Sequence, residues 1–129
     1  MNRPIRPADI APPAAAYELG VVSDSGLMLH TAGIVGTDSD GSTPPAIGDQ
    51  AEIMWRSVDA ILREAGFERS DVVCYTTYAV VGEDLTAVMA ARDDFFGTHR
   101  AASVLIPVPA LARPEWKVEV AVVASRPAN

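Results

Sequence analysis

Glu119 is the residue whose type and place best suit it to moving a proton. It stands between Val118 and Val120 in the run from Trp116 to Ala124, WKVEVAVVA. Side chains along a strand alternate between faces, so this carboxylate meets either solvent on the outer side or a pocket where chains meet. In a pocket, partial burial would raise its proton affinity and fit it for general acid–base work. Arg92 is the second candidate, because it breaks an apolar helical stripe where a core side chain would fit. Guanidinium groups are almost never buried unpaired, so it forms an ion pair, reaches out to water or meets a ligand. Arg100 precedes a strand and reads as a surface or interface residue. Ser103 could in principle be a nucleophile, but no G-x-S-x-G elbow surrounds it and no histidine is near in sequence. Cys74 lies in an apolar strand, where a thiol is usually inert.

Other chemistries find no foothold. GxxxxGK[ST], GxGxxG after a strand, HExxH and CxxC are all missing from the sequence. His30 and His99 are far apart with no third ligand at metal spacing, so no metal site is expected. Ten basic residues, nine of them Arg, stand against 17 acidic ones for a net charge of −7. Nucleic-acid binding depends on neutralising phosphates with Lys and Arg, so that partner is not expected.

A chain of 129 residues with 49% hydrophobic and 21% charged residues suits one domain spanning 1–129. At this length roughly two-thirds of the unfolded surface is buried, enough for a core without disulfides or metals. No apolar run approaches the roughly 18 residues of a membrane span. The N-terminal stretch lacks the apolar centre of a signal peptide. With a lone cysteine as well, a cytoplasmic protein is expected.

The elements that must position these groups follow from periodicity. Residues 1–16 carry Pro4, Pro7, Pro12 and Pro13 and should form an extended arm without regular pairing. YELGVVS from Tyr17 and LMLHTAG from Leu27 read as strands joined in a hairpin by Asp24-Ser25-Gly26. Gly36 to Gly48 is a loop. Met54, Val58, Ile61, Leu62 and Ala65 lie on one helical stripe that Gly66 ends. Asp71 to Val81 is a central strand. Leu85, Val88, Met89, Arg92, Phe95 and Phe96 mark a second helix ending near Gly97. Ala102 to Val108 is a strand whose prolines, Pro107 and Pro109, suit an edge or bulge. Trp116 to Ala124 is the last strand.

The order β-β-α-β-α-β-β gives an α+β domain, with two helices packed on one face of the sheet. The strands are apolar on both faces, however, and no element is left to cover the second. Association with further copies of the chain through that face is expected.

Taken in order, the residues resemble the Rid family, the YjgF-type reactive intermediate deaminases, from about Tyr17 to Ala124. The resemblance rests on P-x-x-x-Y at Pro13 to Tyr17, T-A-G at Thr31 to Gly33, and the acidic loop at Asp38 to Gly41. It continues through Gln50-Ala51, A-I-L-R-E-A-G ending at Gly66, Asp71 to Val73, Phe95-Phe96, and V-E-V at Val118 to Val120.

The resemblance implies a chorismate-mutase-like fold with a mixed sheet, a homotrimer, and ligand clefts between subunits. It also implies cofactor-free hydrolysis of reactive imines and enamines to keto acids and ammonia. The water-positioning glutamate of the family matches Glu119, and its cleft tyrosine matches Tyr17. The arginine that clamps the substrate carboxylate in a P-A-R segment is not matched, because this chain reads Ala101-Ala102-Ser103. The cleft serine and asparagine are changed to Ala32 and Met89, and Leu105 takes a position that is often cysteine. Losing a bidentate guanidinium weakens carboxylate binding. A substrate other than 2-aminoacrylate is therefore expected, in a more apolar cleft lined by Met89 and Leu105. Glu119 would hold water or a proton, with Ser103 and backbone amides near Gly33 polarising the substrate. Arg92 or Arg100 would be the source of a displaced cation. The alternative is a non-catalytic trimer that binds a small metabolite.

Overall fold

The computed structural model describes residues 2–23 and 26–128. Its order is β1 (Arg3–Ile5), β2 (Gly20–Val22), β3 (Leu27–His30), β4 (Ile34–Val35), α1 (Ile47–Glu64), β5 (Val72–Val80), α2 (Leu85–Phe96), β6 (Ala102–Val108) and β7 (Val118–Arg126), with a short 3-10 turn at Arg69–Asp71. The main sheet runs β3-β7-β5-β6, with β4 also paired to β7. It is mixed: β5 is parallel to β6, whereas β7 is antiparallel to β5, β3 and β4.

Helix α1 forms for the reason its stripe suggests. Ala51, Met54, Val58 and Leu62 are fully buried on one side, each of the larger ones worth about 1.5–3 kcal/mol on leaving water. Gly66 ends the helix at φ +80°. Its N–H reaches the Arg63 carbonyl, and the Phe67 N–H reaches that of Leu62. A side chain at Gly66 would be strained in this left-handed position, and the buried Phe67 seals the turn. Asp84 caps α2 by accepting from the Thr86 and Ala87 N–H groups. An aromatic cluster joins the layers, with Trp55 stacked on Phe95 and meeting Tyr75 and Phe96 edge-on.

Burial divides the sheet. Val72, Tyr75, Thr77 and Ala79 of β5 are buried, as are Val118, Val120, Val122 and Ala124 of β7, and this is the helix-covered face. The residues between them, with Val104 (51% exposed) and Ile106 (38%) of β6, lie on the open face. The two-helices-on-one-face arrangement is as expected, and so is the edge position of β6.

Two expectations are corrected. The N-terminal arm does pair: β1 runs antiparallel to β2, Arg3 opposite Val22 and Ile5 opposite Gly20. Pro4 is tolerated because a two-stranded ribbon has only one ladder to satisfy. The ion pair between Arg6 and the buried Glu18 fastens the arm, and the bonded guanidinium holds the Glu18 carboxyl below its usual range. The hairpin between the Tyr17 and Leu27 segments does not form either. Strand β2 pairs with β1, whereas β3 pairs with β7, whose long ladder outweighs a local turn. Of the expected turn, Asp24 and Ser25 lie outside the described residues.

Candidate active site

Between β3 and β4 the chain carries one residue more than β7 does. His30 is opposite Val123 and Ile34 is opposite Val120, so four steps face three. The surplus forms a bulge at Thr31–Gly33. The Thr31 side chain repairs the ladder there: its hydroxyl accepts from the Val122 N–H at 2.9 Å and donates to the Ala32 carbonyl at 2.7 Å. Ala32 and Gly33 are left exposed beside β7.

Glu119 fills the space this creates. It is half-buried on the open face, flanked in register by Val35 of β4 and Tyr78 of β5. Its carboxylate rests directly over Gly33, where a Cβ would lie 2.1 Å from Oε2. Glycine is therefore required by this close approach. We expect Gly33→Ala to push the carboxylate aside and to lower whatever activity depends on it by roughly tenfold or more, while the melting temperature moves little. Activity and thermal melts of the purified variant, measured together, check this.

A second group of candidates sits on the other face. Ser103 and Leu105 of β6 pair with Tyr75 and Thr77 of β5, which places them towards the helices. With Met89 and Arg92 of α2, Trp55 of α1 and Thr77, they line a small cavity under the edge strand. Arg92 is 9% exposed and pairs with its neighbour Asp93 at 2.9 Å. Burial pushes the Tyr75 phenol up, opposed by a hydrogen bond with Ser103 and by the charge of Arg92. Thr77 and Trp55 escape a reading of the sequence alone. Thr76-Thr77 puts one hydroxyl on each face, and Trp55 adjoins the stripe residue Met54 without standing out from it.

The remaining candidates are placed as follows. Tyr17 is half-buried, its hydroxyl accepting from the Ala14 N–H at 3.3 Å. Its neighbour Glu18 bridges to Ala102, so this tyrosine lies near the start of β6. Arg100 binds the Gly97 and His99 carbonyls through Nη1 at 2.6 and 3.1 Å, at the end of α2, and is not part of the cavity lining. Burial holds the Cys74 thiol above its ordinary value, which suits an inert residue. His99 bonds the Val72 carbonyl at 2.8 Å. Among the described residues no cluster of three or more His, Cys, Asp or Glu could hold a metal ion, and no helix is long and apolar enough to cross a membrane. Within one chain, then, Glu119 and the Ser103–Arg92 group occupy opposite faces of the sheet.

Comparison with known proteins fits this architecture. The model of the family described as endoribonuclease L-PSP matches residues 9–126. The chain is similar to a Rid-family protein of unknown function, YyfB from Yersinia pestis, at 30% identity and TM-score 0.86, covering 95% of this chain and 97% of that one. A putative endoribonuclease from Thermotoga maritima shares 25% identity at TM-score 0.73, with 98% of both chains covered. A member of the YjgF/YER057c/UK114 family from Mycobacterium tuberculosis shares 25% identity at TM-score 0.68, covering 86% and 87%. Among curated proteins no significant match is found.

Proposed function

The chain belongs to the endoribonuclease L-PSP family, the YjgF or Rid family, and from that premise we propose that it hydrolyses a small reactive imine or enamine. The observation that carries the reading is the Glu119 carboxylate set over Gly33 on the open face. It stands beside the Ala32–Gly33 bulge, whose residues are exposed, and the water and the C=N group would meet there.

In the proposed reaction, water attacks the C=N carbon while Glu119 accepts one of its protons. That proton passes to the nitrogen to give a carbinolamine; its hydroxyl proton then moves to the amino group, the C–N bond breaks, and ammonia leaves as the carbonyl forms. One water is consumed and one ammonia released, with no change of oxidation state and hence no cofactor. Backbone amides of the Ala32–Gly33 bulge supply donors to the substrate. If water is kept out, the same carboxylate can move a proton between carbon and nitrogen, which is the tautomerisation of an enamine.

The active unit in this reading is a homotrimer. Val104, Ile106 and Met28 expose apolar surface on the open face, and a second copy laid against it would bring its β6 edge towards Glu119. The two candidate groups, separated within one chain, would then share one cleft. The substrate is other than 2-aminoacrylate, because Ser103 stands where a carboxylate-clamping arginine is expected. That same serine favours the second reading, a non-catalytic trimer that binds a small metabolite. RNA is a poor fit for either, with 17 acidic residues against 10 basic ones.

The test is a panel of imines generated in place by an amino-acid oxidase, from short aliphatic to bulky aromatic side chains. Ammonia release above the spontaneous rate, with a preference across the panel, supports hydrolysis. A flat response with measurable binding of the keto-acid products leaves the binding module as the account.

A further inference from the structure

One row of side chains crosses the open face of the sheet. Val35 of β4 stands opposite Glu119 of β7, Glu119 opposite Tyr78 of β5, and Tyr78 opposite Ile106 of β6. Residues directly opposite on antiparallel strands hold their Cβ atoms roughly 4.5–5.5 Å apart. Glu119 and Tyr78 are therefore immediate neighbours, both half-buried, with an aliphatic side chain at each end of the pair.

The protein occupies neither of them. Among the described residues, the Glu119 carboxylate and the Tyr78 hydroxyl make no hydrogen bond or ion pair, with each other or with any other group. The other two tyrosines are engaged. The Tyr17 hydroxyl accepts from the Ala14 N–H, and the buried Tyr75 bonds Ser103. A phenol donates and accepts through one oxygen, whereas an ionised carboxylate only accepts. Side by side, the pair offers an acceptor and a donor to a ligand lying along the row.

We propose that Tyr78 is a further catalytic residue, whose hydroxyl bonds the nitrogen of the substrate C=N group and relays to it the proton that Glu119 takes from water. The proposal rests on the hydrolytic reading of Glu119 and supplies a route for its proton. The oxygen of water bonds to carbon, its proton goes to Glu119, and the electron pair of the C=N double bond moves to nitrogen. The Glu119 carboxyl then gives its proton to the Tyr78 oxygen as the Tyr78 O–H gives its own to nitrogen. Glu119 ends as a carboxylate and Tyr78 as a phenol, so the pair is ready for the next transfer. The same path carries the hydroxyl proton of the carbinolamine to the amino group before the C–N bond breaks.

The test has two arms. In the first, Tyr78→Phe should lower kcat for imine hydrolysis by about 10²-fold with little change in KM. Combined with Glu119→Gln, it should cost little beyond the loss from Glu119→Gln alone, because the two residues act as one unit. A kcat for Tyr78→Phe within about threefold of wild type, or losses that simply add, would overturn the relay and leave Glu119 as the base. In the second arm, the wild-type chain carries ¹³C at tyrosine Cζ and is titrated with acetone oxime, a flat and neutral C=N compound, with isopropanol as the control. The chain has three tyrosines, so their signals are few and are assigned from the backbone of the wild type. Acetone oxime should move the Tyr78 signal and leave that of Tyr75 in place, and isopropanol should move neither. A Tyr78 signal that ignores the oxime, or follows isopropanol equally, overturns the proposal even if Tyr78→Phe fails to fold. A wild type inert towards every imine defeats the hydrolytic reading, and the oxime arm then decides the Tyr78 contact by itself.

Discussion

Replacing Glu119 by glutamine should lower imine hydrolysis by about 10²–10⁴-fold, with a much smaller change in KM. The reason is geometric as well as chemical. Glutamine has the same shape as glutamate and so keeps its place over Gly33, where the clearance admits no Cβ. What it loses is the ability to accept the proton of the attacking water. Because substrate contacts elsewhere are untouched, the loss should fall on kcat. Single-turnover ammonia release, with circular dichroism to establish that the variant is folded, gives the measurement. A rate within threefold of wild type would mean that Glu119 is not the base.

The second large effect concerns stability. Gln50 is fully buried, and its amide ties three backbone groups that are remote in sequence. Nε2 donates to the Pro44 and Glu115 carbonyls at 2.8 and 2.9 Å, and Oε1 accepts from the Lys117 N–H at 2.9 Å. Gln50→Leu keeps most of the volume but strands all three, each worth about 1–3 kcal/mol when buried and unpaired. A destabilisation of about 3–5 kcal/mol is expected, read from urea unfolding midpoints. Activity should fall as well, since Lys117 leads directly into the strand that carries Glu119. A loss below about 1 kcal/mol would mean that water replaces the amide. The neighbouring Gly36 belongs to the same arrangement, because a Cβ there would lie 2.4 Å from the Gln50 backbone. This buttress gives a physical role to Gln50, one of the residues on which the resemblance rests.

How legible this was in the sequence depends on how local each cause is. Both helices and strands β5 to β7 follow from periodicity and from Gly66 and Gly97 at the helix ends, whereas the Asp84 cap of α2 shows only in the structure. Partner choice is not local. The Asp24-Ser25-Gly26 turn chemistry suggests a hairpin, but β3 gains more from β7, and β2 is taken by an arm whose prolines argue against regular pairing. The site shows the same division. Glu119 stands out as an acid in an apolar strand, and its need for Gly33 emerges only once the Thr31–Gly33 bulge is seen. Register also separates the candidates, with Glu119 opposite Tyr78 on one face and Leu105 opposite Thr77 on the other. A single odd residue, Val73 at the irregularity in β5, shifts the alternation that would have revealed this. Arg92 is legible as an anomaly in a helix, but its company of Trp55, Thr77 and Ser103 comes from three other elements.

The most direct measurement is ammonia release from imino acids formed in place, with wild type and Glu119→Ala side by side over the same substrate panel. The account predicts acceleration above the spontaneous rate by the wild type for at least one side-chain class, and none by the variant. No acceleration by the wild type across the panel, or equal acceleration by both proteins, would contradict it.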